Sequence, residues 1–224
     1  MDKIPNGFYS TKLCPYAHRS RLALVEKQIP FTLIEIDLQH KPANFREISP
    51  AGKVPVLKHD DRRIWESAII NEYLEEVFPT PALLPKDPIQ RAQARIWINF
   101  ADTRLFALTH KLLFTPELTQ QVRIIKEIIQ CLQTIEQEGL QKLSVEGPYW
   151  LGTDLSLVDL TYYPWFEQVV VLEYFCGFTF PTELDRLKRW WKAVADCESV
   201  RSQSQFSEFY LEHYSRLQQQ LFKS

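Results

Sequence analysis

The sequence predicts an α/β unit over residues 1–80, a linker over 81–86 and an all-α unit over 87–224. Three observations carry this reading. Short alternating or β-branched runs, bounded by turn residues, occur only in the first third of the chain. A Pro-rich stretch without periodicity, F-P-T-P-A-L-L-P, follows at 78–85. From residue 87 onward the apolar spacing is helical. With 224 residues, 45% of them hydrophobic, the chain has apolar material for one large core or two smaller ones.

Gly7-Phe8-Tyr9-Ser10 reads as a short strand. Pro15 starts a helix that runs to about Lys27, and Ile29-Pro30 ends it. Residues 31–37, F-T-L-I-E-I-D, alternate apolar and polar, as a strand does. Residues 41–48 suit a short irregular helix, and 49–53 are a turn cluster. Residues 54–58 form a strand beginning at a proline, Asp60-Asp61 turns the chain, and 63–65 return it. Residues 67–78 carry Ile69, Ile70, Tyr73, Leu74 and Val77 along one helical stripe. The order β-α-β-α-β-β-α is the thioredoxin-like arrangement, a sheet with helices on both faces.

In the second unit, 89–114 and 118–143 read as two long helices. Ser156-Leu157-Val158-Asp159 resembles a capping box, with Asp in place of Glu. It opens a helix to about Tyr174 that Pro164 is expected to kink. Residues 184–197 and 206–222 are the last two helices. Trp97, Phe100, Phe106, Tyr162, Tyr163, Trp165 and Phe166 read as core stripes of these helices.

Composition excludes several function classes. A net charge of −2 offers no basic surface for nucleic acid or an anionic membrane. There is no apolar run of membrane-spanning length. Residues 1–8 lack the apolar core of a secretory signal. Cys14, Cys131, Cys176 and Cys197 are far apart and fit no metal spacing, so no metal is expected. Unpaired, scattered cysteines suit a reducing, cytoplasmic compartment.

The chemistry points to Cys14. A polar turn ends there, Pro15 follows, and His18, Arg19 and Arg21 make the next segment basic. Proline is tolerated at the first helical position, which puts Cys14 at a helix N-terminus. Unpaired N–H groups and partial positive charge gather at such a terminus. They favour a thiolate with a depressed pKa over the inert, buried thiol that many cysteines become. A redox C-x-x-C would need a second cysteine at position 17, which is Ala17. Cys14 can therefore form a mixed disulfide, and an external thiol must release it.

Two further motifs stay open on the residues alone. Val54-Pro55 is either an ordinary edge-strand proline or a cis peptide that leaves Val54 free to pair with an extended peptide. Glu66-Ser67 is either a plain helix cap or a head-group site. In the second case Ser67 and its neighbouring N–H groups take a carboxylate, and Glu66 takes an ammonium.

C-P-Y-A-H-R, then K-V-P-V-L, then W-E-S-A-I-I-N-E-Y-L, in this order and before a helical unit, resemble the cytosolic glutathione transferases. Within them the chain looks most like the omega class, with the lambda and dehydroascorbate-reductase classes close. The resemblance implies a glutathione-dependent thioltransferase or reductase, in which Cys14 forms the mixed disulfide with glutathione. It implies that Lys41 lies near the glycine carboxylate of glutathione and that Val54, held by a cis Pro55, pairs with the cysteinyl part. Glu66 and Ser67 would hold the γ-glutamyl head. It implies a small electrophilic or oxidised co-substrate between the units, facing Tyr16, Phe100, Arg104 and Trp165, and a homodimer. Conjugation of glutathione to electrophiles, and a non-catalytic binding or regulatory role on the same fold, are the alternatives.

Overall fold

A computed structural model describes residues 5–144 and 146–221, the side chains of 218–221 excepted. The first residues of the segment tested for a secretory signal, and Phe222 at the end of the last expected helix, lie outside the described residues. The first half runs β1 (Gly7–Ser10), α1 (Pro15–Glu26), β2 (Leu33–Glu35), α2 (Phe45–Ile48), β3 (Val56–His59), β4 (Arg62–Trp65) and α3 (Ser67–Val77). The strands form one sheet in the order β2-β1-β3-β4. β1 and β2 pair in parallel across the α1 crossover, while β3 runs antiparallel to both β1 and β4. This is the thioredoxin-like arrangement that the element order predicts.

Three strands differ from expectation, β4 only in starting one residue early, at Arg62. β2 spans three residues where 31–37 alternate, because β1 offers only four residues to pair with. Beyond that pairing Phe31 turns its ring edge onto Phe8, with centroids 5.8 Å apart. β3 begins at Val56, so Val54 and Pro55 form an arm leading into the strand and not its first residues.

The segment after α3 has no periodicity, yet it is pinned. Buried Lys27, which caps the end of α1, pairs with Glu75 on α3 at 2.7 Å. Lys27 Nζ also donates to the carbonyls of Phe78 and Pro81, both at 2.7 Å. Glu75 accepts from the backbone N–H groups of Leu83 and Leu84 at 3.0 and 3.1 Å. A buried ion pair holds when its remaining donors and acceptors are met, as here.

The second half is helical. α4 (Pro88–Phe100) passes without a break through a π turn (Ala101–Phe106) into α5 (Ala107–Leu113). α6 (Leu118–Thr134) likewise passes through a π turn (Ile135–Leu140) into α7 (Gln141–Leu143). α8 (Leu157–Glu167), α9 (Val169–Cys176), α10 (Asp185–Ala195), the short α11 (Glu198–Arg201) and α12 (Ser207–Leu221) follow. The capping box is present at the start of α8. Its fully buried Asp159 also accepts from the Trp150 N–H at 2.8 Å and from Trp190 Nε1 at 2.6 Å. Trp150 stacks on Tyr162 and meets Trp190 edge-on, so one carboxylate fixes an aromatic core. Pro164, expected to kink this helix, is carried inside α8, and the run towards Tyr174 is instead broken at Gln168, whose φ of −95° and ψ of 2° leave the helical region before α9. No helix among the described residues is long and apolar enough to cross a membrane.

Candidate functional site

Cys14 caps α1 with extended backbone, φ −82° and ψ 115°, and Pro15 opens the helix. The Cys-Pro step dictates this geometry, since a proline disfavours helical conformation in the residue before it. Cys14 faces a cavity of about 670 Å³ between the sheet and the long helix α4–α5. Lys41, Val54, Pro55, Glu66 and Ser67 line the same cavity. Five positions drawn from separate stretches of sequence therefore meet around one thiol.

Each is held by its own local structure. Val54 precedes a cis Pro55, and its carbonyl lies 3.9 Å from Cys14 Sγ. Lys41 crosses from the loop before α2 and donates to the Gly52 carbonyl at 2.9 Å. Ser67 is buried at the first position of α3. Glu66, exposed before it, has φ +66°, a region that non-glycine residues rarely occupy. Backbone strain of this kind costs about 1–3 kcal/mol and gathers at ligand sites. The Ser67 end of the cavity thus offers a helix N-terminus beside an acid, an arrangement suited to a group bearing both a carboxylate and an ammonium.

Arg19 joins the two halves. Its Nε donates to Ser67 Oγ at 2.8 Å. Its Nη1 and Nη2 form a two-pronged pair with Asp102 at 2.7 and 3.1 Å. The guanidinium carbon also lies 5.3 Å from the centre of the Tyr16 ring. Asp102 sits in the π turn of the long helix, where an added residue per turn is often associated with function.

The expected depression of the Cys14 pKa is not found. Burial pushes the thiol up, and this exceeds the opposing pull of the Ala17 and Tyr16 N–H groups and of Arg21 and Arg19. The helix start acts as anticipated, but desolvation outweighs it. Tyr16 lines the cavity and its hydroxyl is pushed up to about 12, first by burial and then by Asp102.

Three of the acceptor-side expectations need correction. Phe100 does not line the cavity; it packs on Trp97 with ring centroids 5.3 Å apart, as a core residue. Arg104 is exposed on the helix and absent from the cavity wall. Trp165 is buried and lines a smaller void of about 40 Å³ with Pro15 and Tyr214, its Nε1 donating to Thr109 Oγ1 at 2.6 Å. The first two follow from helix phase: Phe100 and Arg104 lie four residues apart on one face, while Asp102, Phe106 and His110 keep the same spacing two residues out of step and so line a different face. Asp102, Phe106, Ala107 and His110 form the wall that Phe100 and Arg104 were expected to supply. The spacing of Phe106 and His110 was a usable signal, but which helix face meets Cys14 was not legible before the two halves are packed together. Among the described residues no cluster of three His, Cys, Asp or Glu is placed to hold a metal ion.

Comparison with known proteins gives a consistent result. Residues 13–77 match the family model for the glutathione S-transferase N-terminal domain, and residues 98–193 match that for its C-terminal domain. Glutathione S-transferase U25 of Arabidopsis thaliana is 34% identical over 208 residues, covering 92% of this chain and 91% of that protein. The crystal structure of glutathione transferase Omega 3C from Trametes versicolor has 29% identity and a TM-score of 0.82, covering 100% of this chain and 95% of the other. The Tau class glutathione S-transferase MiGSTU from mango, Mangifera indica, has 25% identity and a TM-score of 0.88, covering 95% and 98%.

Proposed function

Because this chain belongs to the glutathione S-transferase family, we propose that it is a Cys-dependent thioltransferase within it, acting on glutathionylated or otherwise oxidised small molecules. The observation that carries this reading is Cys14 at the start of α1, sharing one cavity with Lys41, Val54, Pro55, Glu66 and Ser67. Glutathione is the substrate of the family. In this reading its γ-glutamyl head meets Ser67 and the start of α3, with Glu66 on the ammonium. Its cysteinyl part pairs with the Val54 backbone, and its glycine carboxylate faces Lys41. The acceptor occupies the side lined by Tyr16, Phe106, Ala107 and His110.

The chemistry is two exchanges. The Cys14 thiolate attacks the glutathione sulfur of a mixed disulfide. That S–S bond breaks, the electron pair leaves with the substrate sulfur, and the substrate thiolate takes a proton. Cys14 is then disulfide-bonded to glutathione. A second glutathione thiolate attacks this bond, glutathione disulfide leaves, and the Cys14 thiolate is restored. Ala17 offers no second thiol, so the resolving thiol comes from outside.

One observation favours a second reading, conjugation of glutathione to electrophiles. A Cys14 thiol raised by burial stays protonated and can donate to the thiolate of bound glutathione. The two readings part on Cys14→Ser. Under thiol transfer, glutathione-dependent reduction of hydroxyethyl disulfide falls to the uncatalysed rate in the variant, and glutathione affinity persists. Under conjugation, transfer to an aryl halide survives or rises. Retained disulfide reduction in Cys14→Ser would sink the first reading.

We also propose a two-fold homodimer. Trp65 and Ile69, 43% and 57% exposed, flank the start of α3, and Ile89 and Ile96, 72% and 63% exposed, lie on α4. Symmetric dimers are the commonest oligomer, and burying these side chains would remove exposed apolar surface from water. A dimeric mass by light scattering is expected at micromolar concentration; a monomeric mass rejects it.

A further inference from the structure

Cys14 and Arg21 stand seven residues apart, at the cap and in the second turn of α1, and so share a helix face. Helical side chains lean towards the N-terminus, and Arg21 reaches back to the turn that carries the cysteine. Its Nη1 donates to Ser10 Oγ at 2.6 Å and to the Thr11 carbonyl at 3.0 Å. The backbone N–H of Cys14 donates to that same Thr11 carbonyl at 3.2 Å. One oxygen thus joins the guanidinium to the cysteine's own peptide group.

Arg21 is 3% exposed. None of the ion pairs among the described residues includes it. Its hydrogen-bond partners are neutral oxygens. A buried cation without an adjacent counter-charge is costly to keep. The other basic residue beside the thiol differs in this respect, because Arg19 is already neutralised by Asp102.

We infer that Arg21 is a positioning residue: its buried charge is the counter-ion of the Cys14 thiolate, and its hydrogen bonds hold the turn from Thr11 to Cys14. This rests on the proposed role of Cys14 as the attacking thiolate. Arg19 on α1 acts on the thiol in the same sense as Arg21. Glu35 on β2, Glu167 on α8 and the Tyr210 hydroxyl on α12 face Arg21, and neutral His18 lies beside it. Tyr16 and Tyr214 face Cys14, and both stay protonated. Glu35 acts on Arg21 more strongly than Cys14 does, but it is exposed and screened by water, and Glu167 is pushed up by burial, which weakens it as a rival anion. Ionised Cys14 is the anion that Arg21 is placed to meet.

The test is the pH profile of Cys14 alkylation by iodoacetamide in the full-length protein, with the site read by peptide mass. Arg21→Gln is expected to raise the midpoint by about one pH unit, a roughly tenfold slower reaction below it. Arg21→Lys is expected to restore most of the rate. An unchanged midpoint in folded Arg21→Gln overturns the inference. So does Arg21→Lys reacting as slowly as Arg21→Gln, because charge would then not be what matters. If Arg21→Gln fails to fold, Ser10→Ala decides. It keeps the charge and removes its 2.6 Å neutral acceptor, so the midpoint is expected to fall, and no movement rejects the counter-ion role. Failure of the thiolate reading is a separate result, retained thiol transfer in Cys14→Ser, which these profiles do not measure.

Discussion

On one wall of the cavity, Cys14 caps α1, Ser67 opens α3, and Val54 lies two residues before β3. On the other wall, Asp102, Phe106, Ala107 and His110 lie inside an uninterrupted helical run from 88 to 113. The first wall presents backbone groups and helix starts, whose positions follow from local motifs. The second presents side chains whose direction depends on the phase of a long helix. A proline or a cap residue fixes a terminus wherever it occurs, whereas one extra residue in a helical turn swings every later side chain. The glutathione side should therefore respond to changes of single polar atoms, and the acceptor side to changes of shape.

The largest expected effect is on the first wall. Ser67→Ala and Glu66→Ala each remove one charge-assisted hydrogen bond to glutathione in the proposed pose, at a cost of about 1.5–3 kcal/mol. Glutathione Kd by calorimetry is expected to rise roughly ten- to hundredfold, with acceptor KM little changed. Ser67→Ala should be the worse of the two, because it also strands the buried Arg19 Nε. Equal affinity in both variants and the wild type would remove the head-group site from the first wall.

An intermediate effect is expected where the walls are tied together. Asp102→Asn keeps the shape of the bridge but leaves Arg19 without its counter-charge. Asp102 is partly open to water, so the loss is expected at about 1–2 kcal/mol, below that of a fully buried pair. Urea unfolding with both variant and wild type in the same buffer measures it. A loss within error would mean that the walls are held by apolar packing alone.

The smallest effect belongs to the second wall. Ala107→Trp narrows the cavity without touching a polar partner. The KM for a bulky disulfide is expected to rise several-fold, roughly 1 kcal/mol, while the glutathione KM stays where it was. If both constants move together, the walls are not separable.

Much of the first half was legible in the sequence because its signals are short-range. The Cys-Pro step and the Ser at the head of α3 each act within a few residues, and they put Cys14 at the start of α1 and Ser67 at the start of α3, whereas Val54, expected to begin a strand, lies in the arm before β3. The capping box at Ser156 is of the same kind. Strand limits were less legible: β2 is cut short by its four-residue partner and not by its own alternation. Phe100 and Arg104 were expected at the acceptor side from the family resemblance and not from periodicity, and they lie two residues out of step with Asp102, Phe106 and His110, which face the cavity. The pinning of the linker by Lys27 and Glu75 was hidden as well, since the two charges lie 48 residues apart and meet only in the packed structure.

By itself, then, the sequence determined the element order of the first half and helix starts such as those at Pro15 and Ser67, which depend on dihedral preferences, proline chemistry and caps, all acting along the chain. The residues expected around Cys14 came from the family resemblance. The tertiary structure alone decided the acceptor wall, the Arg19 bridge, the burial of Arg21 and the sign of the thiol's shift. Each of these depends on burial and on which distant groups share it. A helix start near Cys14 favours the thiolate in any setting. Only the packing around it determines how much water is lost, and here that loss is the larger of the two effects.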